Sequence, residues 1–188
     1  YSNADKKINV DNIFYNNRVG INDSMEGGRS LTLGIDYKKE KIEDINKYFE
    51  LKLATSIRDK EEKNLPKKST LNRKNSNLFG SLGGGLGEHL NLEYNFSLDN
   101  DYSSLVYNEI TTNLIFDNLN STFIFSEENG ERGDSSYWSN ETSFNVDNKH
   151  YLTFGTRRNR KISLTEYYDL VYDYRNDCLK AGFKYKKT

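Results

Sequence analysis

Apolar and polar residues alternate along most of this chain. The clearest run is His89 to Asp99. Leu90, Leu92, Tyr94, Phe96 and Leu98 fall on one side, and His89, Asn91, Glu93, Asn95, Ser97 and Asp99 on the other. Successive side chains of a strand point to opposite faces, so the run predicts a strand with one apolar and one polar face. In Tyr48–Arg58, Phe49, Leu51, Leu53, Thr55 and Ile57 oppose Glu50, Lys52 and Ser56. Near the start, Leu31, Leu33, Ile35 and Tyr37 oppose Thr32, Asp36 and Lys38. Near the end, Tyr168, Leu170, Tyr172 and Tyr174 oppose Tyr167, Asp169 and Asp173, and Leu179, Ala181, Phe183 and Tyr185 oppose Lys180, Lys184 and Lys186. None of these apolar faces carries a charge, and helical periodicity is almost absent.

Turn signals divide the chain into about eleven strands, over 6–15, 28–39, 47–58, 76–86, 89–99, 103–116, 119–128, 135–146, 149–160, 164–174 and 177–187. The connections alternate in kind. Gly87-Glu88, Asp117-Asn118, Asp147-Asn148 and Asn176-Asp177 are tight, whereas Asn16–Gly27, Asp59–Asn75, Glu128–Asp134 and Lys161–Ser163 are longer or more polar. Asn100-Asp101 is a short link where a long one is expected. Short turns on one side and longer loops on the other are the layout of an outer-membrane barrel, with the short turns in the periplasm.

Composition narrows the alternatives. A mean hydropathy of -0.88 is polar, but the 13% of aromatic residues argues against simple disorder. No apolar run approaches the ~18 residues of a transmembrane helix, a test that barrel strands of ~9–11 residues escape. A net charge of -1 gives no clustered basic face for nucleic acid. The opening Tyr1-Ser2-Asn3-Ala4-Asp5 has no leader character, so Tyr1 is expected to be an internal position, and the closing Tyr185–Thr188 reads as a second cut.

Candidate chemistry is sparse. Ser81–Gly87 is glycine-rich but lacks the Lys-Ser/Thr ending and following helix of a phosphate loop. Glycine in a strand more often marks a bend or close backbone approach. His89 and His150 follow tight turns without further metal ligands at suitable spacing. No Gly-x-Ser-x-Gly occurs, and Glu61-Glu62 and Glu127-Glu128 are expected in loops, so no catalytic residue, metal or cofactor is assigned. Tyr15, Tyr37, Tyr102, Tyr137, Trp138, Tyr151, Tyr174 and Tyr185 sit near strand ends, either as an interfacial girdle or simply as good strand formers.

Cys178 is the only cysteine. Parity places it with Lys180 and Lys184 on the polar face, just after a tight turn at the periplasmic rim, a compartment that permits disulfides. The expectation is a disulfide to a segment outside this chain.

The stretch from Asp11-Asn12-Ile13-Phe14 to Asn17-Arg18-Val19-Gly20-Ile21-Asn22-Asp23-Ser24-Met25-Glu26-Gly27-Gly28-Arg29 resembles the barrel of the lipopolysaccharide-assembly family LptD, the organic solvent tolerance proteins. Asn17, Arg18, Asp23, Glu26, Gly27 and Gly28 match the family pattern. Val19 replaces an aromatic, Ile21 a glycine and Ser24 an arginine. Asn75-Ser76-Asn77, the later Leu98-Asp99-Asn100, and Asp177-Cys178-Leu179-Lys180-Ala181-Gly182 follow in the family's order, the last resembling its cysteine-bearing penultimate strand. The resemblance implies a large barrel closed around an LptE-like lipoprotein plug. A periplasmic jellyroll domain before the barrel receives lipopolysaccharide from a periplasmic bridge. The lipid leaves through an opening between first and last strands, and cysteines near the barrel's end pair with the N-terminal region.

The expectation is therefore an all-β, antiparallel up-and-down transmembrane β-barrel segment in the bacterial outer membrane, not an enzyme. It would be an incomplete barrel, residues 1–188 forming its C-terminal portion without the final strand. Its strands would form the wall of a lipopolysaccharide translocon. Lumen-facing Glu50, Lys52, Glu93, Asp169, Asp173, Lys180 and Lys184 are the candidates for plug or head-group contacts. The alternatives are another outer-membrane barrel, a porin or barrel enzyme, and a soluble all-β binding module, which also hides one face and wets the other.

Overall fold

The computed structural model describes residues 7–18, 26–130 and 133–188. Within them the chain forms β1 (Ser30–Lys41), β2 (Asp44–Arg58), β3 (Leu78–Leu86), β4 (Leu90–Leu98), β5 (Leu105–Phe116), β6 (Leu119–Glu128), β7 (Ser135–Asn145), β8 (His150–Asn159), β9 (Leu164–Arg175) and β10 (Lys180–Lys187). Each strand pairs antiparallel with its sequence neighbours, in one open ten-stranded sheet ordered β1 to β10. This is an up-and-down barrel segment with unclosed edges.

The strands form because local signals agree with the pattern. β-Branched and aromatic residues alternate with small polar ones, and turn residues end each run. Gly87, with φ 104, supplies the left-handed residue that turns β3 into β4. Short links at 42–43, 87–89, 117–118, 146–149 and 176–179 lie at one end of the sheet. Longer links at 59–77, 99–104, 129–134 and 160–163 lie at the other, so the short link expected at Asn100-Asp101 is in fact a six-residue loop, 99–104.

One of the eleven expected strands does not form. The described part of 6–15 is a chain of turns. Asn9 captures the backbone: its Oδ1 accepts from the Asp11 and Asn12 amides at 3.1 and 3.0 Å, and Asn12 Oδ1 accepts from the Asn9 amide at 3.0 Å. These local side-chain bonds replace a ladder. The apolar side chains that mimic a strand, Ile8, Val10 and Ile13, are buried instead in a small core with Leu65 and Leu71 of the 59–77 loop and with Ala54 and Phe79.

Register fixes the faces. Leu33, opposite Thr55, and Leu51, opposite Leu82, continue through Tyr94, Ile110, Phe125 and Trp138 as one apolar face. This face is uncovered: Leu33 is 49% exposed, Ile35 63% and Phe183 63%. Charges on it stand only towards strand ends, as at Lys39, Lys47 and Arg158. Between β6 and β7 it is interrupted by hydroxyls and an amide that bond to one another. Ser121 Oγ and Thr142 Oγ1 are 2.6 Å apart, and Asn140 donates to Ser121 at 3.1 Å and accepts from Thr142 at 3.1 Å. Internal pairing of this kind satisfies polar groups set in an apolar face.

Candidate functional site: the polar face and its strap

The seven candidates of the sequence share one face of the sheet. Glu50 stands opposite Gly83, and Gly83 opposite Glu93, so glycine separates two carboxylates on one row. Lys52 Nζ lies 3.3 Å from Glu50 and 4.0 Å from Asp11, and Asn95 Nδ2 donates to Glu93 at 2.7 Å. Far across the sheet, Lys184 Nζ approaches Asp169 at 3.5 Å, and Asp173 accepts from Arg175 at 3.0 Å. Lys180 stands directly opposite Arg175. The structure thus brings Glu50, Lys52 and Glu93 together on β2–β4, and Asp169, Asp173, Lys180 and Lys184 together on β9–β10, as two separate groups.

Residues 7–18 cross this face as a strap at its long-loop end. Lys7 Nζ reaches Glu128 on β6 at 2.5 Å, while Phe14 lies against Gly34 on β1, where a Cβ would collide with its ring. The strap is anchored by a charge cluster that sequence reading left unassigned. Arg18 Nε donates to Glu26 Oε2 at 2.8 Å and its Nη2 pairs with Glu26 Oε1. Arg18 also donates to Ser30 at 2.9 Å, Thr32 at 2.9 Å and Ser56 at 3.0 Å. Arg58 pairs with the same Glu26 carboxylate and donates to the Gly27 carbonyl at 2.8 Å. Side-chain exposures of 6% for Arg18 and 8% for Glu26 show why each donor needs its acceptor. Burial lowers the Arg18 guanidinium pKa from its usual value.

Charge is unevenly spread over the polar face. Strands β3 to β7 contain no lysine or arginine, and their polar face carries Glu93, Glu109, Glu128 and Glu141 among Asn, Ser and Thr. On β8–β10 the same face carries Arg157, Arg175, Lys180, Lys184 and Lys186 against Glu166, Asp169 and Asp173. Arg157 Nε stands 2.9 Å from Glu166 as an ion pair without hydrogen-bond alignment, its guanidinium over the Tyr137 ring at 4.1 Å. The signal was available in sequence as a long interval without cations, and alternation alone does not expose it.

The remaining candidates take structural places. Gly83 to Gly85 are strand residues of β3, not a phosphate loop. His89 Nδ1 bonds the Ile115 carbonyl at 2.8 Å and stacks on Phe116, and His150 Nδ1 bonds Tyr172 Oη at 2.6 Å. β10 begins at Lys180, so Cys178 lies in the 176–179 turn and not on a strand face, which removes the parity argument for it. It is a free, exposed thiol at the short-turn end, in a turn held by Asn176 Oδ1, which accepts from the Cys178 and Leu179 amides at 3.0 and 2.7 Å.

A family model described as LPS transport system D matches residues 3–117, more than half the chain. The chain belongs to the LptD family. No curated protein matches it. The LptD match takes in the strap and β1 to β5, and β6 to β10 continue the same alternation beyond it. LptD proteins are outer-membrane β-barrel components of lipopolysaccharide transport and not an enzyme family, which ties this chain to that transport. The strap anchor now gives the LptD-like motif its physical content. The Arg of Asn17-Arg18 grips the Glu of Glu26-Gly27-Gly28, and the Gly27 carbonyl is held from β2. Asp23 and the substituted positions Val19, Ile21 and Ser24 lie outside the described residues.

Proposed function

We propose that this chain is wall of a translocon that inserts lipopolysaccharide into the outer leaflet of the bacterial outer membrane. Its polar face lines the lumen and its apolar face meets lipid. In this reading residues 1–188 belong to the C-terminal portion of the barrel, the final strand lying beyond it. Glu50, Lys52, Glu93, Asp169, Asp173, Lys180 and Lys184 look onto an LptE-like plug and the passing head groups. A periplasmic bridge protein delivers the lipid through a preceding domain, and Cys178 forms a disulfide with a segment outside this chain.

The observation that carries the reading is the uncovered, mainly apolar face that runs across ten strands opposite a polar one, in a chain of the LptD family. A soluble sandwich would bury that face against a second sheet. Membership of a lipopolysaccharide-transport family weighs against a porin or barrel enzyme. The test is depletion of the full-length protein in its native cell. Newly made lipopolysaccharide should stop reaching the cell surface while other barrels still assemble. Unchanged surface delivery would remove the translocon role.

A further inference from the structure

The lumen wall proposed above is electrically divided. Along β3 to β7 every charged side chain that these strands place on the polar face is a carboxylate, and the cations described against them come from elsewhere, Lys7 of the strap on Glu128 and Arg157 of β8 over the Tyr137 ring. Glu109 and Glu141 have no cation on their own strands. On β8 to β10 cations outnumber carboxylates. Lys180 and Arg175 face each other in the ladder, and like charges directly opposite repel unless an anion stands between them. Asp173 engages Arg175 at 3.0 Å, so Lys180 keeps no carboxylate of its own. Lys186 lies over the Tyr167 ring at 5.0 Å, and Lys184 reaches Asp169 only at 3.5 Å.

We propose that the phosphate-bearing head group of the transported lipopolysaccharide travels along the β8–β10 side of the lumen, over Arg175, Lys180 and Lys184, and is kept off β4–β7 by Glu93, Glu109 and Glu141. This rests on the translocon reading and names the part of the wall that the anion uses. A polyanion is drawn to a wall where cations outnumber carboxylates and repelled by carboxylates set among neutral amides and hydroxyls, most of all where a plug limits water. The acidic wall is left for a neutral or basic protein surface.

The experiment places a photoreactive amino acid at Val171 on β9 or at Thr111 on β5, both on the polar face, in the full-length protein in cells making lipopolysaccharide. After irradiation, adducts are read with an antibody to the lipid. The Val171 adduct should be roughly tenfold the stronger, the ratio that ~1.4 kcal/mol of preference gives. Adding Lys180→Gln with Lys184→Gln should reduce the Val171 adduct severalfold, and Lys184→Arg should retain it, which separates loss of charge from misfolding. Equal adducts at Val171 and Thr111 overturn the anion track and leave the translocon reading standing. Adducts at neither position, together with unchanged surface delivery on depletion, overturn both.

Discussion

Arg18 and Glu26 form a two-point ion pair on the polar face of the sheet, shared with Arg58 and closed by Ser30, Thr32 and Ser56. Neither end of this pair belongs to a strand, yet together they fix the strap to β1 and β2. Removing one partner of a buried pair leaves a stranded charge, at a cost of about 3–5 kcal/mol. Glu26→Gln should therefore release the strap while β1 to β10 persist. Hydrogen exchange in the full-length protein should show residues 7–18 losing protection and β4 keeping its own. Equal loss in both would mean that the pair supports the whole sheet.

The apolar face makes a separate claim about lipid. Phe123 lies midway along β6 on that face, and Glu127 lies on the same face near the strand's end. A charge at the bilayer midplane costs about 2–4 kcal/mol, and one near the interface about 0–1. Phe123→Arg should lower folding stability in bilayers by that larger amount, and Glu127→Arg by little. Equilibrium unfolding from lipid vesicles measures both.

The loop between β4 and β5 is tied by Asp99. Its carboxylate accepts from Ser104 Oγ at 2.7 Å and from the Ser103 amide at 3.0 Å, and the Ser104 hydroxyl is the largest cause of a pKa lowered from 3.8 to about 2. A depressed carboxylate stabilises the fold above its ordinary pKa, and that contribution is lost as pH falls towards the folded value. Amide protection at Ser103 and Ser104 should be constant above pH 3.8 and fall between there and about 2. Asp99→Asn should remove this dependence.

Cys178 is exposed in a turn at the short-turn end. If it bridges to a segment outside this chain, full-length protein from the envelope should run differently under non-reducing and reducing conditions. Cys178→Ser should abolish that difference, and an unchanged pattern would remove the bridge.

The strands were legible where local pattern and tertiary environment agree. Leu90 to Leu98 alternates in sequence because β4 presents an apolar and a polar face, and its predicted faces are the observed ones. Residues 6–15 were not legible. Ile8, Val10 and Ile13 are spaced like an apolar strand face, but their burial depends on Leu65 and Leu71, far away in sequence, and on Asn9 and Asn12 diverting the backbone. Of the polar face, alternation gave the side on which Glu50 or Lys184 stands. It gave neither the pairing of Lys184 with Asp169 nor the facing of Lys180 and Arg175, because register across strands sets those.

The central claim is that one face of this sheet meets water in a lumen and the other meets lipid. Single cysteines at Leu92, Glu93, Phe183 and Lys184, with Cys178 replaced, test it in native outer membranes with a membrane-impermeant thiol reagent. Positions 93 and 184 should label, and their neighbours 92 and 183 should stay unreactive until detergent is added. Equal labelling within each pair would contradict the two-faced wall.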